Sequence, residues 1–163
     1  MFKALVISIK QPFADLIVRG FKTVENRTWK TKYTGPLLIH TGATFEKNWK
    51  DFLSARATYE ADQFYKRKYA STHGRFKFQH SQIIGAVLMT GVDQNNNNPW
   101  CQHGLKYHRY RHPVKFFNGI PFPGQVKLFK APYEWHKSLT TEDEKQWQFI
   151  CKQSNILRLT PNF

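Results

Sequence analysis

Three consecutive segments decide the fold: Ser8-Ile9-Lys10-Gln11-Pro12-Phe13-Ala14, Gly20-Phe21-Lys22-Thr23-Val24-Glu25-Asn26-Arg27-Thr28-Trp29 and Tyr33-Thr34-Gly35-Pro36-Leu37-Leu38-Ile39-His40. Residues 4–9 are apolar and rich in β-branched side chains, the pattern of a short buried strand. Pro12 suits the first turn of a helix, where its missing N–H costs nothing. Phe13, Leu16 and Ile17 then fall on one helical face, and Gly20 is placed to end the helix in a left-handed conformation. Residues 23–29 predict a strand, with Val24, Asn26 and Thr28 on one side and Thr23, Glu25, Arg27 and Trp29 on the other. Gly35-Pro36 is a turn signal, and residues 37–40 read as a second core strand.

Working outward, Phe45, Trp49, Phe52, Leu53 and Arg56 follow helical spacing and predict a helix over 46–68, in one piece or two. Residues 82–92 form a strong apolar strand, and 105–112 a strand that alternates Tyr107, Arg109 and Arg111 with Lys106, His108, Tyr110 and His112. Further strands are expected at 116–117 and 125–130, around Pro121, Pro123 and Gly124. The run Asn95-Asn96-Asn97-Asn98 before Pro99 reads as a loop. Thr141 followed by Glu144 has the spacing of a capping box and opens a helix carrying Trp147, Phe149, Ile150 and Cys151, with a last short strand expected at 155–159. No internal repeat or compositional break divides the chain, so residues 1–163 are read as one domain with a helical insert at 46–80. Strands outnumber helices without strict alternation. The expectation is therefore an α+β fold built as a small, mostly antiparallel β-barrel with helices packed outside, rather than a doubly wound parallel sheet.

Composition narrows the function classes. The chain has 163 residues, with 25 Lys and Arg against 11 Asp and Glu, a formal net charge of +14. It is 40% hydrophobic and 16% aromatic, which argues against disorder. No apolar run approaches the roughly 18 residues of a membrane span, so no membrane partner is expected. The start of the chain lacks the pattern of a secretory signal, and the two cysteines, Cys101 and Cys151, suit a reducing compartment, so a cytoplasmic location is expected. The excess charge points to a polyanion, with nucleic acid first because lysine and arginine attract phosphates while aromatic rings stack on bases. From Gln63 to Tyr133 the only acidic residue is Asp93, against Lys66, Arg67, Lys68, Arg75, Lys77, Lys106, Arg109, Arg111, Lys115, Lys127 and Lys130.

The three opening segments, in order, resemble the ASCH domain family: an S-I-x-Q-P-[WF]-A start, a G-x-K-[TD]-V/I-E-N-R-x-W strand and a Y/F-x-G-P-L-L-I-H strand. Ile83-Ile84-Gly85-Ala86-Val87, Asn98-Pro99-Trp100, the strand around Tyr107-His108 and Phe122-Pro123-Gly124-Gln125-Val126 are similar to later parts of the family. The resemblance spans residues 5–42 and 83–130. It implies a PUA-like β-barrel that recognises RNA or a modified nucleotide in a cleft between the first helix, the Lys-Thr-x-Glu strand and the barrel. Some ASCH proteins are amidohydrolases acting on N4-acetylcytidine, or ribonucleases. In the amidohydrolase branch the Lys of G-x-K-T is catalytic and matches Lys22. The branch's catalytic Thr, three residues on, is Glu25 here, and its downstream catalytic Glu has no matched position.

Read from the residues, Lys22 is a candidate nucleophile or base if burial lowers its pKa, and Glu25 a candidate proton shuttle. Arg27 can fork onto a phosphate or hold Glu25. Lys10, Gln11 and Pro12 mark a helix start suited to anions, with Gln11 able to read a base edge. Trp29, Trp100, Tyr107 and Tyr110 are candidate stacking platforms, Trp100 foremost because it follows a polar loop. The motifs add Thr23, Asn26 and His40, and the basic strand adds Arg109 and Arg111, as ligand-binding positions. Cys101, His103, His108 and His112 lack a second cysteine pair, and His108 and His112 on one strand stand about 13 Å apart, too far for one ion, so no metal is assigned and no cofactor is expected. The leading reading is a monomeric module for RNA, single-stranded nucleic acid or a modified nucleoside. A hydrolase of the same fold and an adaptor acting through the 46–80 insert are the alternatives.

Overall fold

The structure is a computed structural model that describes residues 4–94 and 97–159, the side chains of the last three excepted. Asn95 and Asn96 of the asparagine run lie outside the described residues. Six strands, β1 (Leu5–Gln11), β2 (Val24–Arg27), β3 (Gly35–Phe45), β4 (Gln82–Asp93), β5 (Lys106–Pro121) and β6 (Leu128–Lys130), form one sheet in the order β2-β5-β4-β3-β1-β6. The β1–β3 pair is parallel, with Ile7 opposite Ile39 and Ser8 opposite His40, and the remaining ladders are antiparallel. Three helices, α1 (Phe13–Val18), α2 (Ala55–Ser71) and α3 (Thr141–Leu159), complete an α+β fold. No ladder joins β2 to β6 among the described residues, so the expected barrel is here an open mixed sheet. Both edges are short strands, which limits the length of unpaired backbone offered to another chain.

The sheet is covered on both faces. Val6, Leu38, Ala86, Phe116, Trp135, Trp147 and Ile150 form a core beneath α3. Ile7, Ile9, Ile17, Val18, Ile39, Ile84 and Val87 form another beneath α1. Because β4 is buried on both faces, Ile83 to Met89 reads as continuous apolar sequence instead of an alternation. At its centre, a Cβ on Gly85 would run into the Val114 carbonyl and lie 2.7 Å from Val18 Cγ1, so glycine lets α1 sit on the strand.

A third cluster joins α1, β2 and the 46–80 segment: Leu16, Val24, Trp49, Ala57, Ala61, Trp100 and Tyr107. This segment is a 3-10 turn (Trp49–Phe52) followed by α2, whose Ser54 cap accepts from the Ala57 N–H. Tyr65 packs against Trp49, Phe76 and Phe78, and its hydroxyl donates to Asp15 of α1 at 2.9 Å.

Several boundaries differ from expectation: Gly35 and Pro36 already belong to β3, and the strand expected at 125–130 begins at Leu128. Residues 106–112 and 116–117 belong to one strand, β5, which bends at register shifts and accommodates Pro113. The cap of α3 is Thr140, whose hydroxyl accepts from the Asp143 N–H, one residue before the expected Thr141. Residues 155–159 continue α3 instead of forming a strand.

Candidate functional site

Lys22 is aimed by the way α1 ends. Gly20 takes φ +83°, its N–H donates to the Ile17 carbonyl, and the N–H groups of Phe21 and Lys22 both donate to the Leu16 carbonyl. That is a Schellman turn, which requires the left-handed conformation glycine adopts without strain. It folds Lys22 back beside α1 at the start of β2. There its ammonium donates to the Val24 carbonyl and to Glu25 Oε2 at 2.8 Å, and lies 5.4 Å from the centre of the Phe13 ring.

Lys22 is 2% exposed and Glu25 7%. Burial depresses the Lys22 pKa, an effect the Glu25 carboxylate partly opposes and Arg27 adds to. Burial works to raise the Glu25 pKa, but Lys22 and Arg27 outweigh it and hold the carboxyl below its usual range. Arg27 stands 3.4 Å from Glu25 Oε1 and donates through Nη2 to the Ser8 carbonyl at 2.8 Å, tying β2 to β1. Across the β2–β5 ladder His108 is the register partner of Glu25. Its ring meets Trp29 edge-on at 4.6 Å and its Nε2 lies 3.2 Å from the Trp29 carbonyl. Burial lowers the His108 pKa. Arg27 Nε, His108 Nδ1 and the Tyr110 hydroxyl are buried and have no hydrogen-bond partner among the described residues.

Lys22, Glu25, Arg27 and Trp29 line a cleft of ≈ 590 Å³, whereas His108 and Tyr110 do not. Lys22, Glu25, Asn26, Arg27 and Trp29 form one wall, Ser8 and Lys10 of β1 another, and Gln125, Val126 and Lys127 of the β5–β6 loop a third, with Phe13 at the helix side. The cleft thus offers one buried carboxylate among Lys10, Arg27 and Lys127. Lys22 could act as a nucleophile only after leaving its two acceptors.

The remaining predicted residues lie elsewhere or have other partners. Asn26 lines the cleft, but its carboxamide donates to the Trp100 carbonyl and accepts from the Gln102 N–H, which clips the 97–105 loop onto β2. Exposed Thr23 accepts from Asn98. Gln11 is fully buried; it accepts from the Asp15 N–H and donates to the Gln79 carbonyl, so the first turn of α1 is capped from within and carries Asp15 as well. Pro12 is the N-cap of that helix. Lys10 is exposed and pairs with Glu46 at 3.4 Å.

Trp100, Tyr107 and Tyr110 are core residues, and only Trp29 of the four stacking candidates faces the cleft. Arg109 pairs with Asp93 at 3.0 Å, and Arg111 is exposed on β5; neither lines the cleft. No cluster of three or more metal-ligating side chains occurs among the described residues, and no described helix is long and apolar enough to cross a membrane.

Sequence reasoning singled out His40 but not its partner. His40 Nδ1 lies 2.9 Å from Ser8 Oγ and its Nε2 2.7 Å from the Phe122 carbonyl. Only the parallel register brings residues 8 and 40 together. In the sequence Lys127 and Gln125 read as part of a basic stretch and of a family-like segment, but not as cleft residues, because the loop they sit on reaches the cleft through strand order.

The ASCH crystal structure from Zymomonas mobilis is similar, with 15% identity and a TM-score of 0.48 over 83% of this chain and 92% of that one. A single-residue mutant of the same Zymomonas mobilis protein matches at 15% identity and a TM-score of 0.47, over 83% of this chain and 95% of that one. No curated protein is similar enough to count as a match. The sequence profile of the ASCH domain matches residues 7–150, most of the chain. The chain belongs to the ASCH domain family.

Proposed function

We propose that the protein binds RNA or another single-stranded nucleic acid, or a modified nucleoside within it, and takes one nucleotide into the cleft. The observation that carries this is the cleft wall: one fixed carboxylate, Glu25, set among Lys10, Arg27 and Lys127 beside the Trp29 ring. A carboxylate accepts from the amino group of a base, the cations meet phosphates, and the indole gives a stacking surface. Lys22 then serves to hold Glu25 in place. The lysines and arginines of the 63–133 stretch supply the grip on the backbone outside the cleft.

The test is binding of labelled single-stranded RNA followed by fluorescence anisotropy over a range of salt. The expected log–log slope is about −0.7 per phosphate contacted. Trp29→Ala is expected to cost about 1–3 kcal/mol of affinity if a base stacks there. Binding that is absent, or indifferent to salt, would refute the proposal.

A further inference from the structure

Ser8 and His40 form a hydroxyl–imidazole pair that opens on the same cleft. The Phe122 carbonyl, 2.7 Å from His40 Nε2, can only accept, so in the neutral ring the proton sits on Nε2. Nδ1 then carries a lone pair, and the 2.9 Å contact is a bond from Ser8 Oγ–H to His40 Nδ1. Burial depresses the His40 pKa, which keeps the ring in the form that can take a proton. A hydroxyl bonded to a neutral imidazole whose far nitrogen is fixed by an acceptor is the arrangement of an activated nucleophile, with a backbone carbonyl in the position a carboxylate takes in other such sites.

The surroundings fit that use. The imidazole is 1% exposed, whereas Ser8 is half-buried and lines the cleft. A Cβ on residue 124 would lie 2.8 Å from His40 Cε1 and 3.0 Å from Ser8 Oγ, so Gly124 is what lets the β5–β6 loop lie against the pair. Arg27 is held at the Ser8 carbonyl, Lys10 lies two residues along β1, and Lys127 stands on the opposing loop. A bond that only tied β1 to β3 would not need to face the cleft, because backbone pairing already joins those strands.

The geometry points to Ser8 as a nucleophile toward carboxylic esters, with His40 as its general base and with substrates that carry a phosphate or similar anion for Arg27, Lys10 and Lys127. Ser8 Oγ bonds to the acyl carbon as its proton passes to His40 Nδ1. The ester C–O bond breaks, and the leaving alkoxide takes that proton. Water, deprotonated by the same nitrogen, then bonds to the acyl carbon; the acyl–Oγ bond breaks, the proton passes from His40 Nδ1 back to Ser8 Oγ, and the acid is released. The net reaction is ester plus water to acid plus alcohol, with no other reactant.

The experiment treats the full chain with a fluorophosphonate probe and maps the modified serine by mass spectrometry. Ser8 is expected to react ahead of every other serine. Labelling should vanish in Ser8→Ala and slow by about a hundredfold in His40→Gln. In parallel, 3′-O-acetyladenosine 5′-monophosphate and 3′-O-acetyladenosine are offered as substrates, and kcat/KM is expected to be about tenfold higher for the phosphate-bearing ester. Absence of Ser8 labelling in the unaltered chain would overturn the nucleophile, and misfolding of a variant cannot obscure that result. Equal rates for the two esters would overturn the anion preference, and hydrolysis of neither would overturn the activity. No RNA is present in these assays, so their failure and a failure of nucleic-acid binding are separate outcomes.

Discussion

Lys22 and Glu25 form a buried ion pair, 2.8 Å apart, at the point where the turn after α1 meets β2. Two charges removed from water are tolerated only while each satisfies the other and the polar groups nearby. Lys22 has the Val24 carbonyl as a second acceptor, and Glu25 has Arg27 at 3.4 Å. The pair fixes a carboxylate on the cleft wall, and it makes the site costly to alter from one side.

Lys22→Met is accordingly expected to destabilise the fold by about 3–5 kcal/mol, since it leaves Glu25 buried with Arg27, 3.4 Å away, as its remaining ion-pair partner. Replacing both, as Lys22→Met with Glu25→Leu, should cost clearly less than the sum of the single changes. Urea unfolding of the four proteins measures the coupling. Strictly additive losses would show that the pair is not a unit.

Acid should unfold the protein in two stages. Burial lowers the pKa of both His40 and His108; the first faces Ser8 and the Phe122 carbonyl, the second Trp29, Arg27 and Glu25. Both must charge in acid, and the unfolded chain takes those protons first. Their contribution is therefore complete above about pH 6.5 and falls as pH drops below it. Glu25, held below the usual carboxylate range by Lys22 and Arg27 against the opposing effect of burial, contributes stability above about pH 4.3 that is lost as pH falls through its lowered folded value. Urea midpoints followed from neutral pH downward should decline first in the histidine range, less steeply in His108→Asn. A flat profile there would contradict the neutral buried rings.

What the sequence made legible, and what it hid, follows from where the information sits. The turn at Gly20 and the strand bearing Glu25 and Arg27 are local features, and local chemistry locates them. The alternation of Arg and Tyr along 105–112 looks like an interleaved binding surface, yet the pleat of β5 sends Tyr110 into the core and leaves Arg111 in solvent. Trp100 follows a polar loop, but with the Asn26 clip holding that loop its ring packs in the core with Leu16, Val24 and Trp49. Residues 155–159 read Asn-Ile-Leu-Arg-Leu, a stretch too short for periodicity alone to divide between helix and strand. The Ser8–His40 contact depends on register between strands 32 residues apart, and no local signal encodes that. Whether the sheet closes is likewise a property of its two edges, which no single motif describes.

Gly85→Ala tests how α1 is seated. The added methyl would meet the Val114 carbonyl and Val18, neither of which can rotate away as a flexible side-chain end would. Overpacking of this kind costs about 1–3 kcal/mol or more. Because α1 carries Lys22 through its Schellman turn, lifting the helix should also weaken nucleic-acid binding, whereas Gly104→Ala meets nothing within 4 Å and reports only the strain of its positive φ. Thermal midpoints and RNA titrations of the two variants make the comparison. Equal effects would mean that α1 does not rest on β4 as described.

The 46–80 segment is joined to α1 through Asp15. That carboxylate is 4% exposed and accepts from Arg19 at 2.7 Å and from the Tyr65 hydroxyl at 2.9 Å, so α2 is fastened to α1 by a buried bond. Burial and the Asp15 charge push the Tyr65 pKa up, which favours the protonated phenol that donates to Asp15. Tyr65→Phe removes one of the two partners of a buried carboxylate, at an expected cost of about 1–3 kcal/mol. It should also speed hydrogen exchange across α1 and loosen RNA binding with it, because the same helix sets Lys22. Tyr69→Phe, on an exposed side chain of α2, serves as the control and is expected to stay within about 0.5 kcal/mol of the parent. If Tyr65→Phe leaves α1 exchange and RNA affinity unchanged, the segment is not coupled to the cleft, and the adaptor reading of that segment gains the ground this coupling would have held.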